Sequence, residues 1–211
     1  MDRPRLFCIR ERNDVMADST ITKQALASSL KNLMKELPFE KINVSQICEG
    51  CGMNRKSFYY HFSDKYDLVN WIFDTEFLEA VKGDIDLNNY ADRWRVIEDS
   101  CNYFYKNRDF YRVALQIKGQ NSFPEHFRKF IYPVVKNRIA LIIEGNDPDA
   151  FFLDFFTDAV IDAVIHWIDT KDCIPPDQFV GKIKFLEKCI AMSFLQETAR
   201  NEAPEKSTQN I

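Results

Sequence analysis

The sequence predicts an all-α fold of about nine helices, divided between a small N-terminal helical domain and a larger C-terminal one. Three observations predict it. Only 6 of the 211 residues are glycine, so the turn-rich punctuation of a strand architecture is missing. From Thr22 onward, apolar residues recur at three- and four-residue steps. Pro124, Pro148 and Pro176 stand where such stretches begin, the helical position that tolerates proline. At 45% hydrophobic and 28% charged, the composition is globular rather than disordered.

Residues 1–18 lack apolar periodicity and are expected to form a flexible tail, with Met16 a candidate natural start. Helix 1 is expected to begin under a Thr20 or Thr22 cap. It carries Ala25, Leu26, Leu30, Leu33, Met34 and Leu37 as one stripe and ends at Pro38. Asn43 and Gln46 have the spacing of a capping box, which starts a short helix from Val44 to about Cys51. Gly50-Cys51-Gly52 supplies a turn. Asn54 caps a second short helix, roughly Arg55 to Phe62. Ser63 or Asp64 caps a longer one from Lys65 through Leu68, Val69, Ile72, Phe73, Phe77 and Val81. A polar connection, Gly83 to Asn89, marks the domain boundary. Further helices are expected at about 90–107, 109–118, 123–144, 148–171 and 176–198. The domains are thus a head at 19–66, with helix 4 linking to about 83, a body at 84–198, and a disordered tail at 199–211.

Two short helices joined by a glycine turn, behind a longer packing helix, are the parts of a helix-turn-helix. At 100° per residue, Phe58 and Phe62 of the second short helix share one side. Lys56 and Tyr60, with Ser57 and Tyr59 more laterally, point the other way, and Arg55 reaches outward from the first turn. An exposed cationic, phenolic and hydroxyl-bearing face suits a DNA major groove. Arginine and lysine match guanine acceptors, and hydroxyls reach phosphate oxygens. Lys65, at a helix start, adds an ammonium beside free backbone amides, a second place for a phosphate.

The stretch from Lys41 to Leu68 resembles the TetR family of bacterial regulators. The features that match are the turn into helix 2, Gly52, the capping Asn54, the Phe58-Tyr59-Tyr60-His61-Phe62 core, Lys65 and Leu68. Asn43 stands where threonine is common, and Cys48 and Cys51 where small alanines are common. The resemblance implies base contacts for Ser45, Arg55, Lys56 and Tyr59, and phosphate contacts for Ser57, Tyr60, His61 and Lys65. Within the family, Phe58–Phe62, Asp64–Leu68 and Trp71-Ile72-Phe73 are similar to regulators of dihydroxyacetone kinase genes. The implied function is a sequence-specific DNA-binding transcriptional regulator. It would be a repressor on a palindromic operator, tuned by a small ligand, or else an activator controlled by a protein partner.

Charge and cysteine usage narrow the alternatives. Residues 20–72 hold seven Lys/Arg against five Asp/Glu, whereas residues 73–211 hold 17 against 23, within a net charge of −4. A mildly basic head on an acidic body fits a local nucleic-acid surface, although two charges are also within chance. Six cysteines in apolar segments, without a secretory leader, fit free thiols in a reducing bacterial cytoplasm near the nucleoid. Cys48-Glu49-Gly50-Cys51 lacks a second ligand pair for zinc, so packing is its expected role and no metal or cofactor is expected. No nucleophile triad, paired-carboxylate motif or phosphate loop is evident, so no catalytic residue and no enzyme is expected. No apolar run is long enough to span a membrane.

The body is aromatic. Trp94, Phe104, Phe110, Phe127, Phe155 and His166 either surround a small apolar ligand or pack as core and interface. The last two helices are apolar on more than one side, through Phe156, Ala163 and Trp167 on one and Phe179, Ile183, Leu186 and Ile190 on the other. Such helices call for a partner, and a two-fold four-helix bundle in a homodimer supplies one.

Overall fold

A computed structural model of the chain describes the backbone of residues 5–81, 89–142 and 149–201, and the side chains of 19–81, 89–141 and 149–193. Among these residues there are nine α-helices, one 3-10 turn and no strand. The helices are α1 (Arg5–Glu36), α2 (Val44–Glu49), α3 (Arg55–His61), α4 (Lys65–Ala80), α5 (Tyr90–Lys106), α6 (Arg108–Ala114), α7 (Phe123–Ile142), α8 (Ala150–Asp169) and α9 (Pro176–Asn201). The 3-10 turn, Phe39–Lys41, follows Pro38, and no described helix is long and apolar enough to cross a membrane.

The starts of the short helices follow from their caps. The Asn43 side chain accepts from Gln46 N at 3.0 Å, and Gln46 Oε1 accepts from Asn43 N at 2.9 Å, closing the expected box. Asn54 Oδ1 accepts from Ser57 N at 2.9 Å. Asp64 rather than Ser63 caps α4, its carboxylate accepting from Tyr66 N and Asp67 N at 2.8 Å each.

Helix 1 differs from expectation. It begins at Arg5, so residues 5–18 extend the helix, and Thr20 and Thr22 lie inside it instead of capping it. The physical reason is that nothing between Arg5 and Thr22 breaks a helix: the segment holds no glycine or proline and several good helix formers. Pro148 lies outside the described residues, as do residues 82–88, most of the expected linker, and 202–211 of the expected tail. Pro133 lies inside α7 and not at a helix start.

The chain divides into two compact units. The first is Met1–Lys82 with Asn107–His126, and the second is Gly83–Lys106 with Phe127–Ile211. A single boundary near residue 84 is therefore corrected: α6 and the start of α7 group with the head. α6 packs on α1, and buried Tyr111, Ala114 and Phe123 share the unit with Phe73 of α4. Lys31 of α1 pairs with Glu76 of α4 at 2.6 Å, and His126 with Asp74 at 2.7 Å.

In the second unit α5 packs along α9. Arg138 of α7 stands 4.3 Å from the centre of the Trp94 ring and pairs with Glu187, while Lys184 lies 4.9 Å from that ring and 2.8 Å from Glu98. Cys101 is buried, and its thiol is pushed up to about 12 by desolvation first and Glu98 second.

The turn of the head imposes two different demands on its glycines. Gly52 has φ +68, a left-handed conformation that an L side chain resists. Gly50 is right-handed, but a Cβ there would run into the hydroxyl of Ser29 on α1. That hydroxyl is buried and donates to the Ile47 carbonyl at 2.7 Å. Gly50→Ala is expected to lower the denaturation midpoint by an amount equivalent to about 1–3 kcal/mol of overpacking. Adding Ser29→Ala should restore most of it, and simple additivity in a double-mutant cycle would show that the two sites do not meet.

Candidate nucleic-acid interface

The site is built on α2 and α3, which pack against each other while α2 also packs on α1. α3 has seven residues, too few to persist alone, so its anchors decide its orientation. Phe58 is fully buried and Phe62 is 3% exposed, with ring centres 5.8 Å apart. Phe62 continues edge-on to Trp71 of α4 at 5.6 Å. These contacts turn the opposite side of α3 to solvent.

Arg55 and Lys56 are exposed, Tyr59 is 51% exposed and Tyr60 80% exposed. Neither cation pairs with a carboxylate among the described residues. The Arg55 guanidinium lies 5.9 Å from the Tyr59 ring centre, one turn further along the helix. Ser57 is half-buried and its hydroxyl reaches Asn54 Oδ1 at 3.3 Å. Ser45 is half-buried in the first turn of α2. His61, the last residue of α3, stacks edge-on against Tyr60 at 4.9 Å. Burial, and after it the charge of Lys23, holds its imidazole below the ordinary range. Six of these residues thus lie on α3 and Ser45 on the first turn of α2.

Lys65 is placed differently. Its ammonium donates to the carbonyls of Phe39 at 2.7 Å, Ile42 at 2.8 Å and Glu40 at 3.3 Å, and sits 4.4 Å from the Phe39 ring centre. Desolvation lowers its pKa, against the raising effect of Glu40 and Asp64. All three N–H donors of an ammonium are thus engaged by backbone acceptors. The amides beside it are occupied as well, by Asp64, and Ser63 N donates to Asp67 at 2.9 Å. At the start of α4, Lys65 thus forms an internal clasp that ties α4 to the 3-10 turn.

Lys23 of α1 was not singled out from the sequence. It lies beside the rings of Phe62 and Trp71, contacts between elements far apart in sequence that no local pattern reports. Cys48 is buried and Cys51 half-buried, with Cys51 Sγ directed at the carbonyls of Ile47 and Cys48, 3.4 Å each. Both thiols are raised, chiefly by burial, which fits the packing role expected for the pair.

The expected body sites fare unevenly. Trp94, Phe104 and Phe127 are buried in the second unit, with the latter two 5.4 Å apart in edge contact. Phe110 belongs to the first unit, 5.4 Å from Lys31 Nζ and edge-on to Tyr111. Phe155 is 59% exposed and His166 is exposed. The six expected pocket residues are therefore not one lining, because helical phase on α8 turns two of them outward. The expected interface set is also split. Trp167 is buried, stacked on Phe179 at 4.2 Å, close to Tyr105, with Nε1 donating to Ile174 O at 2.8 Å. Trp167 and buried Phe179 are core of their own unit. Half-buried Phe156 packs against the cluster of Val135, Ile139 and Leu153. Ile183 and Ile190 are half-buried, while Ala163 and Leu186 are exposed. Leu186 joins Phe185, Gly181, Gln178 and Lys182 along an open groove of about 580 Å³ on α9, and Phe151 and Phe155 leave α8 with an exposed apolar edge.

A family profile described as "Bacterial regulatory proteins, tetR family" matches residues 28–72, which hold the helix-turn-helix. A second, described as "Transcriptional regulator C-terminal region", matches residues 92–187. The HTH-type dhaKLM operon transcriptional activator DhaS of Lactococcus lactis subsp. lactis (strain IL1403) is 28% identical over 102 residues, which is 48% of this chain and 53% of that protein. The chain thus matches about half the length of this curated relative. A solved structure of a dihydroxyacetone kinase operon activator DhaS superposes with a TM-score of 0.56 at 20% identity, covering 83% of this chain and 98% of the other, a likeness of fold.

Proposed function

This chain belongs to the TetR family and is a transcriptional regulator with a DNA-binding helix-turn-helix, and from that premise we propose that it binds a palindromic operator as a homodimer. The single observation that supports the DNA contact best is α3 itself. Its two phenylalanines are buried, while Arg55, Lys56, Tyr59 and Tyr60 stand exposed with both cations unpaired among the described residues. Arg55, Lys56, Tyr59 and Ser45 read base edges, and Ser57, Tyr60 and His61 hold phosphates. Lys65 acts through the scaffold. The homodimer rests on exposed apolar residues of α8 (Phe151, Phe155) and of α9 (Phe185, Leu186), which bury themselves against a second copy. Two copies of α3 then read half-sites about one helical turn, or a multiple, apart.

A small effector or a protein partner shifts operator affinity by binding one state of the body better than another. The name of the relative, an operon transcriptional activator, supports activation over repression. Control by a protein partner fits the acidic body, since residues 73–211 hold 23 acidic against 17 basic residues.

Selection of bound sequences from random duplexes, with the mass of the complex measured, tests this function. The expected product is a two-fold-related pair of half-sites holding two copies of the chain. Arg55→Ala is expected to relax the base at one position in each half-site, with a loss of about 1–3 kcal/mol per half-site. Selection of no common sequence, or binding as a single copy, would sink it.

A further inference from the structure

Lys23 is a cation seated against two rings with no counter-charge among the described residues. Its ammonium lies 5.8 Å from the centre of the Phe62 ring and 5.8 Å from that of Trp71. Those two rings are in edge contact with each other, and Phe62 is buried as the cap of α3. The lysine is therefore seated against the scaffold that orients the recognition helix. Lys31, two turns further along α1, pairs with Glu76; Lys23 pairs with no carboxylate among the described residues. Resting an ammonium on ring edges and faces lowers the entropy lost when it binds an anion, and leaves its charge unspent.

The group beside it is His61. Its ring adjoins Tyr60 at 4.9 Å and Phe62 at 6.4 Å, and its basicity falls through burial first and the charge of Lys23 second. A permanent cation from α1 and an imidazole from the end of α3 thus both adjoin the Phe62 ring. Both are half-buried, and no acid pairs with either among the described residues. A lysine so placed keeps the imidazole neutral until an anion lies between them. The anion that a DNA-binding head meets is the backbone phosphodiester.

We propose, on the DNA-binding function set out above, that Lys23 and His61 together hold one DNA phosphate at the α1 edge of the head, outside the recognition helix. The contact carries no base information. It fixes the angle at which α3 enters the groove, because one of its two members is the last residue of α3 and the other belongs to the helix behind it. Binding there draws His61 toward its protonated form, since the phosphate offsets the lysine.

The full-length chain tests this with K23M, which keeps the stem against the rings and removes the charge, and K23R, which keeps the charge. Affinity for a selected and for a random duplex is measured across a salt series. The expected result for K23M is a loss of roughly tenfold on both duplexes at moderate salt. The slope of log affinity against log salt should fall by about one per bound chain. K23R should retain the wild-type slope. Without DNA, the His61 ring signal in a pH titration by NMR should move to higher pKa in K23M. Should K23M melt early, K23Q is read by the same two measurements. A wild-type slope in K23M or K23Q overturns the phosphate contact, even if the His61 pKa rises. A loss in K23R equal to that in K23M overturns it too, as does a loss confined to the selected duplex. A wild-type chain that binds no duplex removes the DNA-binding function itself, which the salt series separates from failure of this contact.

Discussion

Phe58→Ala is expected to lower stability by about 3–5 kcal/mol, the usual cost of emptying an aromatic core position, and to abolish duplex binding. The side chain is fully buried, and it and Phe62 are the two buried anchors that hold α3. A helix of seven residues gains little from its own hydrogen bonds, so the loss of one anchor releases the whole reading surface. Phe58→Leu keeps most of the volume and should cost under about 1.5 kcal/mol, with binding largely retained. Urea denaturation and anisotropy on both variants check the pair. A Phe58→Ala protein that melts like the wild type, or that still binds, would mean that α3 is held by something other than its phenylalanines.

Lys65→Met is expected to cost about 2–3 kcal/mol, because two part-buried carbonyls and one exposed one lose a charged donor at once. The methionine stem can still lie near Phe39, so the loss reports hydrogen bonding rather than packing. Duplex affinity should fall only as far as the head unfolds, with the salt slope unchanged at temperatures where the variant is folded. The opposite pattern, an intact melt with a slope reduced by one, would return Lys65 to the role of a direct phosphate ligand. The two lysines, 23 and 65, thus separate cleanly: one is expected to change ionic behaviour without changing stability, the other the reverse.

The difference between those lysines also shows what a sequence can and cannot disclose. Caps are local, and Asn43 with Gln46, Asn54 and Asp64 could be read directly from their spacing. The inward side of α3 followed from its helical phase, which Phe58 and Phe62 obey. The acceptor of a lysine is another matter. Lys65 finds carbonyls 23 to 26 residues away, and Lys23 finds rings on two other helices, so neither choice is encoded in its neighbours. The body repeats this limit. Its helices were visible as periodic stretches, but α8 and α9 are apolar on several sides, so periodicity left their phase undetermined. Trp167 and Phe179 accordingly went to the core, while Phe155 and His166 faced outward. The grouping of α6 with the head is a tertiary fact for the same reason. The start of α1 at Arg5 carries no apolar stripe, and its signal in the sequence is the absence of helix breakers.

The hydroxyl of Ser29 and the bare backbone of Gly50 occupy one small space between them. Divergence at these two positions should therefore be ordered in time. A lineage can lose the serine first, giving up one buried hydrogen bond, and only afterwards acquire a methyl at position 50. The reverse path crosses a badly packed intermediate, so descendants carrying alanine at 50 are expected to have already abandoned serine at 29.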